Sequence, residues 1–203
     1  MLILDHLAFA ASSLDEGRAW LEAKLGLPLQ TGGQHARYGT HNLLMGMEDG
    51  LYLEVIAIDP AAPAPASPRW FDLDNFAGAP RLANWIARTD TLDAMKAAMP
   101  EAGETVALAR GDLAWRMAVP PSGALPLKGG LPSLIQWDCE THPAQRLTPQ
   151  PLRLDALLIR HPDAAEIERR LAPLFSDQRI RFEPAAAPAL SATFQTSQGR
   201  VTL

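Results

Sequence analysis

One carboxylate interrupts an otherwise apolar run: Glu54, in Leu51-Tyr52-Leu53-Glu54-Val55-Ile56-Ala57-Ile58. A β-branched, apolar segment of this length reads as a strand. Alternation puts Tyr52, Glu54, Ile56 and Ile58 on one face and Leu51, Leu53, Val55 and Ala57 on the other, so the strand expects cover on both sides. A carboxylate buried there must be protonated, hydrogen-bonded or paired with a cation. It is either satisfied by a neighbouring Arg or backbone amide, or it transfers protons or binds a metal. A second candidate is His35, in Gly32-Gly33-Gln34-His35, followed by Arg37, Gly39, Thr40 and Asn42. Small residues beside a histidine let a backbone approach a ligand closely. That suits an acid/base group or metal ligand at a pocket rim, with Arg37 and Asn42 as substrate-binding neighbours. The structural alternative is a turn histidine capping a carbonyl.

Other catalytic patterns are missing: there is no G-x-S-x-G elbow, Walker loop, Rossmann glycine fingerprint or H-E-x-x-H zinc motif. Cys139 lies in an apolar strand and reads as inert packing. Arg88 and Arg116 could hold a carboxylate or pair on the surface. Trp85, Trp115 and Trp137 could line an aromatic pocket. His41, His142 and His161 read as loop or strand-end residues with no role.

These groups sit in a chain of 203 residues, 47% hydrophobic and 20% charged, with a net charge of −5. That is enough length to bury a core, and it carries no basic footprint for nucleic acid. The single cysteine rules out an internal disulfide and fits a reducing compartment. No apolar run approaches a membrane span, and Leu2-Ile3-Leu4 has no basic region before it, so a cytoplasmic protein is expected.

The elements that must position the candidates recur. Residues 2–10 read as a strand. Ser13 and Glu16 form a capping box opening a helix with Leu14, Leu21 and Leu25 on one face, and Gly26 ends it. Gly32-Gly33 reads as a turn, Asn42 to Met47 as a strand, and Glu48-Asp49-Gly50 as a hairpin turn into the Glu54 strand, giving β-α-β-β-β. Five prolines in 59–80 mark a connector, and Trp70, Phe71 and Phe76 in its second half suggest that this half packs down onto the body. Leu82-Ala83-Asn84-Trp85-Ile86-Ala87 then lies over Leu4-Asp5-His6-Leu7-Ala8-Phe9 without a gap, and Asp90-Thr91-Leu92-Asp93 over Ser12-Ser13-Leu14-Asp15. Strands follow near 104–109 and 113–119, then Ser133 to Cys139. A third copy starts at Leu154-Asp155-Ala156, with Asp163 and Glu166 as its capping box and short strands near 179–183, 190–196 and 200–203. The expected division is 1–59, a connector 60–80, 81–141 and 142–203.

This repeated module, opening with Leu4-Asp5-His6 and closing with Tyr52-Leu53-Glu54, resembles the vicinal oxygen chelate superfamily of glyoxalase I, extradiol dioxygenases and bleomycin-resistance proteins. It is most similar to the superfamily's glyoxalase-like bacterial members. The matching stretches are 4–17, 32–46, 51–60, 68–74 and 134–138. The resemblance implies an α+β fold of paired β-α-β-β-β modules whose cupped mixed sheets hold a divalent metal, here with a third, C-terminal module added. The implied ligands lie on the first and fourth strands of each module: His6, Glu54 and Gln136, with Asn84 a weak fourth. Zinc, manganese, nickel or ferrous iron would suit such a site, and His6, His35 and Glu54 could alternatively form a facial triad for iron or manganese.

Two functions follow from the resemblance. One is a metal-dependent enzyme acting on a small carbonyl or hydroxy compound through a chelated enolate, of isomerase, lyase or epimerase type, with Glu54 or His35 moving the proton and Arg37, Asn42, Asn84 and Trp137 contacting substrate. A dioxygenase is a less favoured variant. The other is a metal-free protein that sequesters a small molecule. The third module's open sheet must be covered, giving a self-capped monomer or a homodimer.

Overall fold

The computed structural model describes all of residues 1–203. The chain opens with β1 (Ile3–Ala10), α1 (Leu14–Leu25), β2 (Gln30–His35), β3 (Thr40–Met47) and β4 (Tyr52–Ile58). It repeats the order with β5 (Arg81–Arg88), α2 (Leu92–Ala98), β6 (Glu104–Arg110), β7 (Leu113–Val119) and β8 (Ser133–Trp137). After the short β9 (Pro149–Gln150) come β10 (Leu152–His161), α3 (Ala164–Leu171), β11 (Ile180–Pro184), β12 (Ala189–Thr196) and β13 (Gly199–Thr202).

The first two units share one sheet in the order β2-β3-β4-β1-β5-β8-β7-β6, with β9 added on β3. Each first strand pairs in parallel with its own fourth strand, and β1 joins β5 antiparallel at the centre. The two halves therefore read alike outward from the middle, as a curled α+β sheet with a third unit attached. That third unit forms a separate sheet, β11-β10-β12-β13. It keeps the β-α-β-β-β chain order but not the pairing, because β10 lies parallel to β11, directly across the α3 connection.

The sequence repeat holds down to a bulge. β1 slips register at Asp5, β5 at Ala83 and β10 at Asp155, the middle positions of the three aligned triplets. A bulge adds one residue and turns the strand over locally. In β1 it lets Leu4, Leu7 and Phe9 join the core on the helix side while His6, Ala8 and Ala10 face the concave side. β4 behaves as its alternation requires: Leu53 and Val55 pack toward α1, and Tyr52, Glu54 and Ile56 point into the cup.

The helix-side core takes Leu21 and Leu25 from α1 and runs on into the third unit, where it includes Leu154, Leu157, Ile159 and Phe194, and Phe175 meets the Trp85 ring edge-on at 6.0 Å. Each such fully buried side chain contributes about 1.5–3 kcal/mol over exposure. The third unit's apolar face is thus covered by the chain itself. Trp85 is wholly buried there, its indole N–H donating to the Gly129 carbonyl at 3.0 Å. The concave side is filled by Tyr38, Trp70, Phe71 and Leu73, so the second half of the connector packs into the cup. Phe71 and Asp72 adopt left-handed φ of 58° and 56°, held by a hydrogen bond from the Asp72 N–H to the Gly123 carbonyl at 2.8 Å.

Three local expectations need correction. Gly32-Gly33 is not a turn: both lie inside β2 where its pairing with β3 is interrupted, and the turn follows at Gly39, with φ of 57°. The Ser133 strand ends at Trp137 rather than Cys139. At α3 the Asp163 side chain makes no cap; Glu166 pairs with Arg169, and His161 Nδ1 accepts the Asp163 N–H instead. Ser13 does cap α1, accepting the Glu16 N–H at 3.2 Å, and Gly26 closes that helix at φ 69°.

Candidate active site

The cup collects His6 from β1, His35 from β2, Asn42 and Leu44 from β3, and Tyr52 and Glu54 from β4. From the other half come Arg110, Trp115, Met117, Ile135 and Trp137, with Phe71 and Pro143 at its margins. The open volume inside is about 40 Å³. The side chains thus nearly close over it, leaving room for one or two waters.

Its charged line runs through one strand and its neighbour. Asp5, fully buried, holds His6 Nδ1 at 2.6 Å, and His6 Nε2 faces Glu54 Oε2 at 3.6 Å. Burial alone would disfavour the imidazolium, but the Asp5 hydrogen bond and the Glu54 carboxylate outweigh it and raise the His6 pKa to about 9. Burial likewise opposes the Asp5 and Glu54 carboxylates. Asp5 is nevertheless held below the usual range by His142 and His6, and Glu54 by His6, His35 and Asn42. The result is a carboxylate–imidazolium–carboxylate row at neutral pH. Tyr52 stacks on the His6 ring at 4.4 Å and fixes its plane.

Glu54 Oε1 accepts from Asn42 Nδ2 at 2.7 Å. The amide is oriented because Asn42 Oδ1 accepts the Gly33 N–H at 2.7 Å. His35 stands across from this pair. Its Nδ1 contacts Thr40 Oγ1 at 3.0 Å, while its Nε2 is approached by two donors, Asn42 Nδ2 and Arg110 Nη1, both at 3.5 Å. Nε2 is therefore the acceptor and Nδ1 carries the proton. Burial, with Arg110 adding to it against the pull of Glu54, lowers the His35 pKa to about 4, so the ring is neutral with its lone pair toward the cup.

Of the residues expected at the site, His6, His35, Asn42, Glu54 and Trp137 come together. Gln136 does not: it lies on the helix side of β8, where its Oε1 accepts the Leu92 N–H at 3.0 Å. Arg37 lies on the outside, beside Tyr38 and Pro68. Asn84 is buried and donates to Ser133 Oγ at 2.9 Å, leaving its Oδ1 without a partner. That pairing mirrors the first half. The register that sets Ala8 opposite Glu54 sets Ile86 opposite Ser133, so Asn84 and Ser133 occupy the places of His6 and Glu54. Trp115 joins the lining, whereas Trp85 faces the helix-side core. Arg116 pairs with Asp138 on the surface, and Cys139 lies beyond β8, half-buried.

Three functional groups escape sequence reasoning. Asp5 carries a signal, a buried acid in an apolar strand beside His6. Arg110 closes on the cup only because the sheet curls. His142, given no role from sequence, is drawn in by Asp5: its Nδ1 accepts the Ala144 N–H at 3.2 Å, so its Nε2–H donates to Asp5 Oδ2 at 2.8 Å, beside the Trp137 indole N–H at 3.1 Å.

A family model for the glyoxalase-like domain matches residues 4–175. The chain belongs to the glyoxalase-like domain family. This places it in the vicinal oxygen chelate superfamily. Among solved structures, a hypothetical protein from Staphylococcus aureus superposes with a TM-score of 0.61 at 15% identity, over 93% of this chain and 88% of that one, a likeness of fold. A methylmalonyl-CoA epimerase from Streptomyces coelicolor gives 0.44 at 14% identity, over 69% and 96%. That from Mycobacterium tuberculosis gives 0.46 at 16% identity, over 68% and 88%. No curated protein matches the sequence.

The side chains of this glyoxalase-like protein do not fit the four-ligand metal that the resemblance implies. Gln136 turns outward onto Leu92, and the second half offers only the neutral Asn84–Ser133 pair. The facial triad is not assembled either. The Asn42 amide stands between Glu54 and His35, and no group of three or more His, Cys, Asp or Glu side chains is disposed to hold a metal ion. What the cup offers instead is a buried carboxylate beside an imidazolium, with a neutral imidazole opposite. That set can accept a proton, steady a developing oxyanion and accept a hydroxyl hydrogen bond. No helix is long and apolar enough to cross a membrane.

Proposed function

We propose that this glyoxalase-like protein is an enzyme that shifts a proton at the carbon beside a carbonyl in a small hydroxy-carbonyl compound, an isomerase, epimerase or lyase in outcome. One observation carries the reading: Glu54 is a buried, ionised carboxylate with Oε1 fixed by Asn42 and Oε2 beside His6, opening onto the cup. Glu54 takes the proton from carbon, and the C–H electron pair moves to the carbonyl oxygen as an enolate. The His6 imidazolium, anchored by Asp5, donates to that oxygen, a preorganised charge in a site with room for little water. His35 Nε2 accepts from the substrate hydroxyl. Return of the proton to the same carbon gives the epimer; return to the former carbonyl carbon, with the hydroxyl proton moving to the enolate oxygen, gives the isomer; expulsion of a group from the next carbon, which leaves with the proton from Glu54, gives the lyase product. No step runs through zinc, manganese, nickel or iron.

The experiment is a set of small hydroxy aldehydes, hydroxy ketones, 2-hydroxy acids and 2-oxo acids incubated with wild type and Glu54→Gln, with products followed by NMR. Conversion by wild type, lost in the variant, supports the reading. Tight binding without conversion overturns it in favour of a sequestering protein.

A further inference from the structure

We infer that Arg110 is the anchor for a carboxylate of the substrate, which makes the substrate class a small 2-hydroxy or 2-oxo acid rather than a neutral aldehyde or ketone. The inference rests on the proton-transfer reading of the cup and adds its specificity.

Arg110 sits at the end of β6, the outer edge of the second half, and crosses to β2, the outer edge of the first. Its passage is built into the opposite strand. A Cβ on Gly33 would lie 2.6 Å from Arg110 Cδ and 2.8 Å from its Nε, so only glycine leaves the lane open. Having arrived, the guanidinium is poorly used. Its Nη1 reaches Asn42 Oδ1 at 3.4 Å and His35 Nε2 at 3.5 Å, and no carboxylate lies within 4 Å. Arg88, Arg116, Arg146, Arg170 and Arg179 all have such a partner. A guanidinium carries five donors in a planar fork that matches a carboxylate, and leaving them unmet at a pocket wall is unfavourable.

The charges and spacing point the same way. Around the cup the carboxylates of Asp5 and Glu54 face three cations, His6, Arg88 and Arg110, leaving one positive charge for a monoanion to balance. Asn42 sets the distance, its Oδ1 toward Arg110 and its Nδ2 on Glu54. The two groups are thus spaced by one carboxamide, the reach of a two- or three-carbon acid, which enters as the side chains over the small cup part. With the carboxylate on Arg110, the C2–H of a 2-hydroxy acid comes over Glu54 with its hydroxyl toward His35 Nε2, whereas a 2-oxo acid brings its C3–H over Glu54 with the C2 carbonyl oxygen toward His6.

The test is a tryptophan-fluorescence titration, read through Trp115 and Trp137, with glycolate, lactate and pyruvate against the neutral glycolamide and hydroxyacetone. The acids should saturate wild type at least roughly tenfold more tightly than the neutral compounds. Arg110→Gln should weaken the acids roughly tenfold or more without moving the neutral compounds, and Arg110→Lys should fall between. Glu54→Gln should still bind the acids. Equal binding of acids and amides, an unmoved Arg110→Gln, or no saturation by any acid would overturn the inference. The Lys variant keeps the test alive if the Gln variant folds poorly. Acid binding through Arg110 without turnover would sink the proton-transfer reading alone; turnover of neutral compounds only would sink the anchor alone.

Discussion

Asp5 Oδ1 lies 2.6 Å from His6 Nδ1, although the two are consecutive residues of one strand. In a regular strand they would point to opposite faces. The bulge at Asp5 brings both to the concave side, and the same carboxylate then gathers His142 and Trp137 from the other half. Asp5 therefore fixes which nitrogen of His6 faces Glu54 and keeps that nitrogen protonated. It acts through His6 and is a positioning residue.

Removing that charge should show in His6 first. Asp5→Asn is expected to drop the His6 pKa from about 9 back toward or below 6.5, because burial then acts with less opposition. The His6 ring signals in an NMR pH titration would report it directly. A His6 pKa that stays near 9 in the variant would mean Glu54 alone holds the imidazolium.

The two cup histidines should give stability a maximum near pH 6.5. His6 is raised to about 9, so its contribution is complete below 6.5 and is lost as pH rises through 9. His35 is lowered to about 4, so its burial costs nothing above 6.5 and destabilises as pH falls from 6.5 through 4, with the depressed carboxylates Asp5 and Glu54 adding their loss further down. Each histidine accounts for on the order of 3 kcal/mol. Urea unfolding at pH 4 to 10 should show the dome, with His6→Gln flattening its alkaline side and His35→Gln its acid side. A monotonic profile would contradict this.

The adjacent glycines of β2 should respond differently to alanine. At Gly33 the obstacle is the Arg110 side chain, which can swing away, so Gly33→Ala should cost less than about 1 kcal/mol of stability. It should nonetheless weaken acid binding as Arg110→Gln does. At Gly32 a Cβ would lie 2.1 Å from Asn42 Oδ1 and 2.6 Å from the Asn42 carbonyl oxygen. Backbone cannot swing away, and Gly32→Ala should cost about 2 kcal/mol or more. Equal melting shifts for the two variants would argue against the close approaches of Arg110 to Gly33 and of Asn42 to Gly32.

Metal should not be integral to the cup. Protein purified without chelator is expected to carry far less than one equivalent of zinc, manganese, nickel or iron, with EDTA leaving activity unchanged. Elemental analysis beside His6→Ala and Glu54→Gln checks it. A stoichiometric metal lost in both variants would contradict the geometric argument from Gln136 and the Asn84–Ser133 pair.

Much of this was legible in the sequence. Alternation in 51–58 set Tyr52 and Glu54 on one face, and the alignment of Leu4-Asp5-His6 with its two copies held to the level of the bulge. Gln136 misled because Leu134-Ile135-Gln136-Trp137 is apolar on both faces, so nothing local says which side is concave; pairing with β5 puts Ser133 at Glu54's place. Arg110 and His35 are 75 residues apart and meet only where the curled sheet brings two edge strands together. His142 reads as an ordinary loop residue before a proline, and its place depends on Asp5. The third unit pairs β10 with β11 rather than with its last strand, a choice that a hydrophobic repeat does not record.

The central claim is that Glu54 takes a proton from carbon. The direct measurement is solvent deuterium exchange into the C–H bond beside the carbonyl of pyruvate, lactaldehyde and dihydroxyacetone in D₂O, followed by ¹H NMR with wild type and Glu54→Gln. The account predicts catalysed exchange by wild type with at least one of them, and a fall of at least about a hundredfold in the variant. No exchange above the uncatalysed rate with any, or equal exchange by wild type and variant, would contradict it.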